Sequence, residues 1–273
     1  MALPLLAACG QSADQPSAST THRTTHPSSR HTTRSGSPTP SPTHSTRRAS
    51  APRPTTSTSV PPVPSATAAS GPRAVDALAA LPVRPAGPAT GYSREQFGIA
   101  YSDHIDPSIP SGRNGCDQRN DIRRRDGKDV VIKRGSKGCV VSSARFADPY
   151  TGTTITMRAS GFEHVVALKD AWISGAASLD PARRADIAGD PLNLLIVDGR
   201  TNMSKGDKSA AAWLPPNVAF RCAYVARQIA VKSQYGLSVT QAEHDKMASV
   251  LAGCPATKVP TEADVAPPEP ATR

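Results

Sequence analysis

The chain has 273 residues, a formal net charge of +10, 27 prolines and only 4% aromatic residues. No stretch approaches the run of about 18 apolar residues that spans a bilayer, which excludes a helix-spanning membrane protein. Residues 11–90 are mostly Ser, Thr, Pro, Ala, Arg and His and bury too little apolar surface to offset their ordering entropy, so one domain of roughly 180 residues is expected.

Residues 1–9, MALPLLAAC, read as a truncated secretory signal, with the true start upstream. LAAC at 6–9 resembles a lipobox, in which Cys9 is diacylated and becomes the mature N-terminus. Residues 10–73 are expected as a disordered Pro/Ser/Thr/Arg-rich tether. The first ninety residues carry eight arginines against two aspartates, a net +6, which suits anionic lipid or wall polymer. Residues 91–254 carry 22 basic and 17 acidic side chains, a balance that suits a polyanion such as nucleic acid.

Folding is expected over 74–254. A short helical spacing at 75–81 opens the domain, and Tyr92, Phe97 and Tyr101 offer aromatic anchors. Three consecutive arginines, Arg123, Arg124 and Arg125, suit a solvated helical face or contact with phosphates. Strands are expected at 129–133, 138–142 and 153–157, with turns between them, giving a short antiparallel sheet. Helices at 220–235 and 239–251 follow, then a disordered Pro-rich tail at 255–273. Cys116, Cys139, Cys222 and Cys254 allow three disulfide connectivities; Cys116 with Cys139 and Cys222 with Cys254 is favoured because each closes a local loop.

Chemistry concentrates between 161 and 213. Glu163 and His164 lie inside an apolar run at 162–168 that reads as a strand, although its lead-in is short. Helical pieces follow at 170–175 and 180–187, the second with Asp180 as N-cap and Pro181 at the first position. A second strand is expected at 192–197 and a helix from 199 to 213. Strand, crossover, strand and polar-faced helix is the order of a ββα-metal finger, so the fold class is α+β. In that arrangement His164 can take a proton from water, Glu163 and Asn202 can offer oxygens to a hard cation, and Asn193 can pin the loop carrying His164. Mixed carboxylate and amide oxygens favour Mg²⁺ or Mn²⁺. His104 ranks behind His164, because no comparable strand and Asn-bearing helix follow it; His244 is expected at the surface.

NGCDQRN at 114–120, DPYTG at 148–152, EHVVAL at 163–168, DPLNL at 190–194, NMSKGDK at 202–208 and WLPP at 213–216 occur in an order specific enough to carry a resemblance. With them, residues 92–254 resemble the HNH endonuclease family, specifically small secreted bacterial members related to the C-terminal nuclease domain of GmrSD-type restriction enzymes. The chain departs in Glu163, where many relatives have Asp, and Ala167, where they have Pro. The resemblance implies divalent-metal phosphodiester hydrolysis with His164 as general base, Asn193 as orienting residue and Glu163 and Asn202 as metal ligands. Lys205, Lys208 and Arg119 are candidate phosphate contacts. The expectation is an exported nuclease, a monomer, secreted or lipid-anchored through Cys9, acting on DNA in preference to RNA. The competing expectation is an inactive HNH-fold module that binds extracellular DNA or anionic wall polymer.

Overall fold

A computed structural model describes residues 69–270; Cys9 with its lipobox, the tether as far as residue 68 and the last three residues lie outside it. The fold mixes helices with two small antiparallel sheets. After α1 (Ala74–Ala80) and an irregular stretch that holds a 3-10 turn at Arg94–Phe97, α2 (Gln118–Asp126) starts at Asp117, whose side chain accepts from Asn120 N. β1 (Gly127–Ile132), β2 (Val141–Ala147) and β3 (Thr154–Thr156) form the expected three-stranded sheet in sequential order.

β4 (Ser160–His164) then pairs antiparallel with β5 (Leu194–Asp198), joined by α3 (Leu168–Ile173) and α4 (Pro181–Gly189). Asp180 caps α4 by accepting from Arg183 N, with Pro181 at the start, as its sequence predicts. α5 (Gly199–Lys205) follows β5 directly. α6 (Arg221–Gln234), α7 (Gln241–Ala252) and the one-turn α8 (Glu262–Val265) complete the described chain.

Three expectations are corrected. The run at 162–168 is not one strand: β4 starts at Ser160, ends at His164, and gives way to α3 at Leu168. The short lead-in is a turn, with Ala159 N donating to Thr156 O at 3.0 Å and Ser160 N to Met157 O at 3.3 Å. The helix expected to reach 213 stops at Gly206, where φ is +53°, a backbone region glycine enters at low cost. Residues 255–270 are no loose tail: Val259 and Val265 are buried in the main core, and Asp264 accepts from Ser70 N and Oγ. Two apolar anchors and these hydrogen bonds offset the ordering cost that the prolines alone suggested.

β5 explains why its apolar run is unbroken. Leu195 and Val197 enter the main core with α6 and α7, while Leu194 and Ile196 enter a second core with Ile122, Val141 and Phe146. A strand between two cores has no polar face. Both expected disulfides form: Cys116–Cys139 ties α2 to the loop before β2, and Cys222–Cys254 ties the start of α6 to the end of α7. For the 32-residue separation of the second, loop-closure entropy alone stabilises by on the order of 3–4 kcal/mol.

Asp190, just after α4, is fully buried and accepts from Leu192 N at 2.7 Å, Tyr235 Oη at 2.8 Å and Gln234 Nε2 at 3.2 Å. Burial outweighs those bonds and raises its carboxyl from 3.8 to about 6. The folded state therefore holds this proton more tightly than the unfolded chain, so this contribution to stability is lost as pH rises through that window. Asp190→Asn should flatten the corresponding slope in Tm against pH between 4 and 7; an unchanged slope assigns the effect to other groups.

Candidate active site

Register decides which way each site residue faces. Glu163 pairs with Leu195, on the main-core side of the β4–β5 ribbon, whereas Phe162 and His164 pair with Ile196 and Leu194 on the other. Neighbouring strand residues point to opposite faces. The carboxylate and imidazole that adjoin in sequence thus leave the ribbon on different sides, at the end where β4 terminates.

α5 lies against β4 and is fastened to it by two residues three positions apart, which share a helix face. Asn202 Nδ2 donates to Phe162 O at 2.9 Å. Lys205 Nζ donates to His164 O at 3.0 Å and stands 2.7 Å from Glu163 Oε1. Lys205 has 0% exposure and Glu163 3%, so this is a buried ion pair. Tyr150 Oη also donates to Glu163 Oε1, at 3.0 Å, which gives the DPYTG string a structural purpose. Burial raises the Glu163 carboxyl, while Lys205 and Tyr150 pull it down. Glu163 Oε2 and Asn202 Oδ1 accept no hydrogen bond among the described residues and are not sealed from solvent.

His164 Nε2 stands 3.0 Å from Ala188 O. A carbonyl only accepts, so Nε2 carries the hydrogen and Nδ1 the lone pair. Burial is the main cause that pushes this imidazole down to about 3; the Ala188 bond opposes it, and the charges of Arg94 and Lys205 add to it. The ring is therefore neutral at neutral pH. Asn193, fully buried, does not touch the imidazole. Its Oδ1 accepts from Val166 N at 2.8 Å, its Nδ2 donates to Ile187 O at 2.9 Å, and its backbone carbonyl accepts from Val165 N at 2.8 Å. It ties the segment after His164 to the end of α4.

Two cavities meet at His164. A polar one of about 220 Å³ is lined by Glu163, His164, Asn202, Lys205 and Asp207; a larger, more apolar one of about 570 Å³ is lined by residues 97–101, Leu168 and Ala188. Arg94 borders both. Sequence reasoning passed over Arg94, since an exposed arginine between two core aromatics carries no pattern of its own.

The other candidates are elsewhere or engaged. Lys205, expected at phosphate, has its ammonium buried against Glu163. Lys208 folds back on α5, with Nζ 2.8 Å from Ser204 O. Arg119 is exposed and covers the Tyr101 ring at 4.3 Å, and Tyr101 in turn stacks near His164 at 6.1 Å. The three-arginine run is largely scaffold. Arg124 pairs with Asp121, Arg125 reaches Pro191 O and Leu194 O at 2.7 Å each, and Arg123 lies 5.1 Å over Phe162. His104 bonds Ser102 Oγ at 2.9 Å and His244 stands near Asp245, both apart from this cluster.

Among the described residues no group of three or more His, Cys, Asp or Glu could hold a metal ion. The oxygens left open, Glu163 Oε2 and Asn202 Oδ1, are nevertheless hard donors on one polar cavity. One carboxylate, one amide and room for water suit a Mg²⁺-like ion that keeps part of its hydration shell. The Lys205 ammonium weakens that fit by its charge without occupying either open oxygen.

A family model described as GmrSD restriction endonucleases, C-terminal domain, matches residues 117–250, which takes in Glu163, His164, Asn193 and Asn202. An uncharacterized secreted protein of Arthroderma benhamiae (strain ATCC MYA-4681 / CBS 112371) is 38% identical over 197 residues, covering 71% of this chain and 88% of that relative. No solved structure matches.

Proposed function

Since the chain belongs to the family of the GmrSD restriction endonuclease C-terminal domain, we propose that it is an exported, metal-dependent nuclease that hydrolyses phosphodiester bonds. The observation that carries this reading is the β4–β5–α5 unit, which lines one polar cavity with Glu163, His164 and Asn202 inside the matched segment. The basic balance of residues 91–254 supports nucleic acid as substrate; DNA is the substrate proposed for test. Two disulfides and a relative described as secreted support a site of action outside the cell; the proposal is a monomer, either secreted or anchored through Cys9 of the lipobox-like LAAC.

In this mechanism His164 Nδ1 accepts the proton of the attacking water, while the Nε2–H bond to Ala188 holds the tautomer and the ring. The oxygen of that water bonds to phosphorus as the bond to the leaving sugar oxygen breaks. Glu163 and Asn202 would hold the cation, Mg²⁺ or Mn²⁺, which supplies charge neutralisation at the phosphate and the leaving oxygen. Lys205 favours the ionised form of Glu163 against its burial and holds the His164 carbonyl, and Asn193 fixes the backbone that follows. The two side chains leave opposite faces of the ribbon, so they serve separate partners: the carboxylate a cation, the imidazole a water.

Purified protein should nick supercoiled plasmid in Mg²⁺ or Mn²⁺ and lose that activity in excess EDTA. Cleavage that survives EDTA sinks the metal-dependent mechanism. Salt-sensitive DNA retention without cleavage in either metal would assign the inactive binding module instead.

A further inference from the structure

Arg94 lies ahead of the segment that the family model covers, yet it borders both cavities that meet at His164. Its backbone is fixed. It opens the 3-10 turn Arg94–Phe97, whose Phe97 is buried against Tyr92 and Trp172 at ring distances of 6.4 Å each. Gln96 O, in the same turn, accepts from Arg184 Nε at 2.7 Å, fastening the turn to α4. The Arg94 side chain, by contrast, is exposed and takes part in no ion pair or hydrogen bond among the described residues.

Four other cations of this neighbourhood have partners. Lys205 is buried on Glu163, Lys169 stands 3.7 Å from Asp207, Lys208 folds onto α5, and Arg119 lies on Tyr101. Arg94 is the one guanidinium among the residues lining these two cavities, so a phosphodiester entering beside His164 meets it there, carried on a rigid turn. A guanidinium offers parallel N–H donors that match two phosphate oxygens, and it stabilises the charge that builds on them during displacement.

We propose that Arg94 binds the phosphodiester attacked at His164, and that the apolar wall formed by residues 97–101 receives the nucleoside on one side of it. The inference rests on the nuclease reading above. Phe97, Ile99, Ala100 and Tyr101 line a cavity of about 570 Å³, enough for a base and sugar, and Ile99 is 83% exposed at its rim. The polar cavity on the other side of Arg94 takes the cation. Arg94 thus marks the boundary between the chemistry and the recognition of the flanking nucleoside.

The test uses the full chain and a fluorescein-labelled DNA oligonucleotide. Binding is read by anisotropy in EDTA, and cleavage in Mn²⁺. Arg94→Ala should weaken binding at least tenfold and lower kcat/KM by about 10²-fold, the effect of losing one charge-stabilising donor. Arg94→Lys should recover binding more than cleavage, because it restores the charge without the planar fork. Ile99→Asp should raise KM with little change in kcat. Both sites are exposed on the surface, so Tm of all three variants should stay within a degree or two. Wild-type protein that cleaves while Arg94→Ala cleaves and binds equally well overturns this inference alone. Wild-type protein that neither binds nor cleaves overturns it together with the nuclease reading.

Discussion

His164→Ala should lower plasmid cleavage by about 10²–10⁴-fold, the range expected when a positioned general base is lost. Its Nε2 is held by the Ala188 carbonyl, which leaves Nδ1 to take the proton, and the described residues bring no second imidazole to the cavity. His104 and His244 are engaged with Ser102 and Asp245 instead. Because burial holds the ring near about 3, the free base is present throughout the neutral range. The pH–rate profile of the wild type should consequently show no acid limb near the ordinary histidine value of 6.5. Initial rates in Mn²⁺, with near-ultraviolet circular dichroism as a check on the fold, decide the matter; a rate within about twofold of wild type removes His164 from the mechanism.

Lys205→Met should be strongly destabilising, although a lysine in an NMSKGDK string reads as surface. Its ammonium is fully buried between Glu163 Oε1 and the His164 carbonyl, so its removal leaves an uncompensated carboxylate in the main core. Breaking a buried pair from one side costs about 3–5 kcal/mol. For a domain of this size that corresponds to a fall in Tm of roughly 6–20 °C. Glu163→Gln added to Lys205→Met should restore much of the loss, because the amide oxygen still accepts from Tyr150 without an unpaired charge. Urea denaturation of the two single variants and the double variant measures the coupling. Additive losses would mean that the two groups stabilise the fold independently.

Much of the scaffold was legible because it depends on local chemistry. Asp180-Pro181 is a helix start wherever it occurs, and Thr240 caps α7 by accepting from Glu243 N in the same way. Short sequence separations were also enough to favour the disulfide pairs. The limits of the central elements were not legible. An apolar run such as 162–168 has no period that separates a strand from the first turn of a buried helix, and the division at His164 comes from pairing with β5, a partner thirty residues away. Lys205 was misplaced for a related reason: its burial follows from the position of Glu163 across the α5–β4 contact, not from its neighbours in sequence.

Residue pattern brought Glu163, His164, Asn193 and Asn202 together as candidates, and the fold gathers three of them on one cavity while Asn193 acts one step behind, on Val165 and Val166. Arg94 shows the opposite case. It is separated from His164 by seventy residues and reaches the site only because Phe97 buries the turn that carries it.

The most direct measurement is anomalous diffraction from a crystal of the folded part soaked in Mn²⁺. A peak in the polar cavity within about 2.0–2.3 Å of both Glu163 Oε2 and Asn202 Oδ1 is the expected result, with His164 Nδ1 facing a water beside it. Manganese bound elsewhere, or a Glu163 carboxylate that keeps only Lys205 and Tyr150 as partners at saturating Mn²⁺, would contradict a metal-dependent phosphodiesterase centred on these residues.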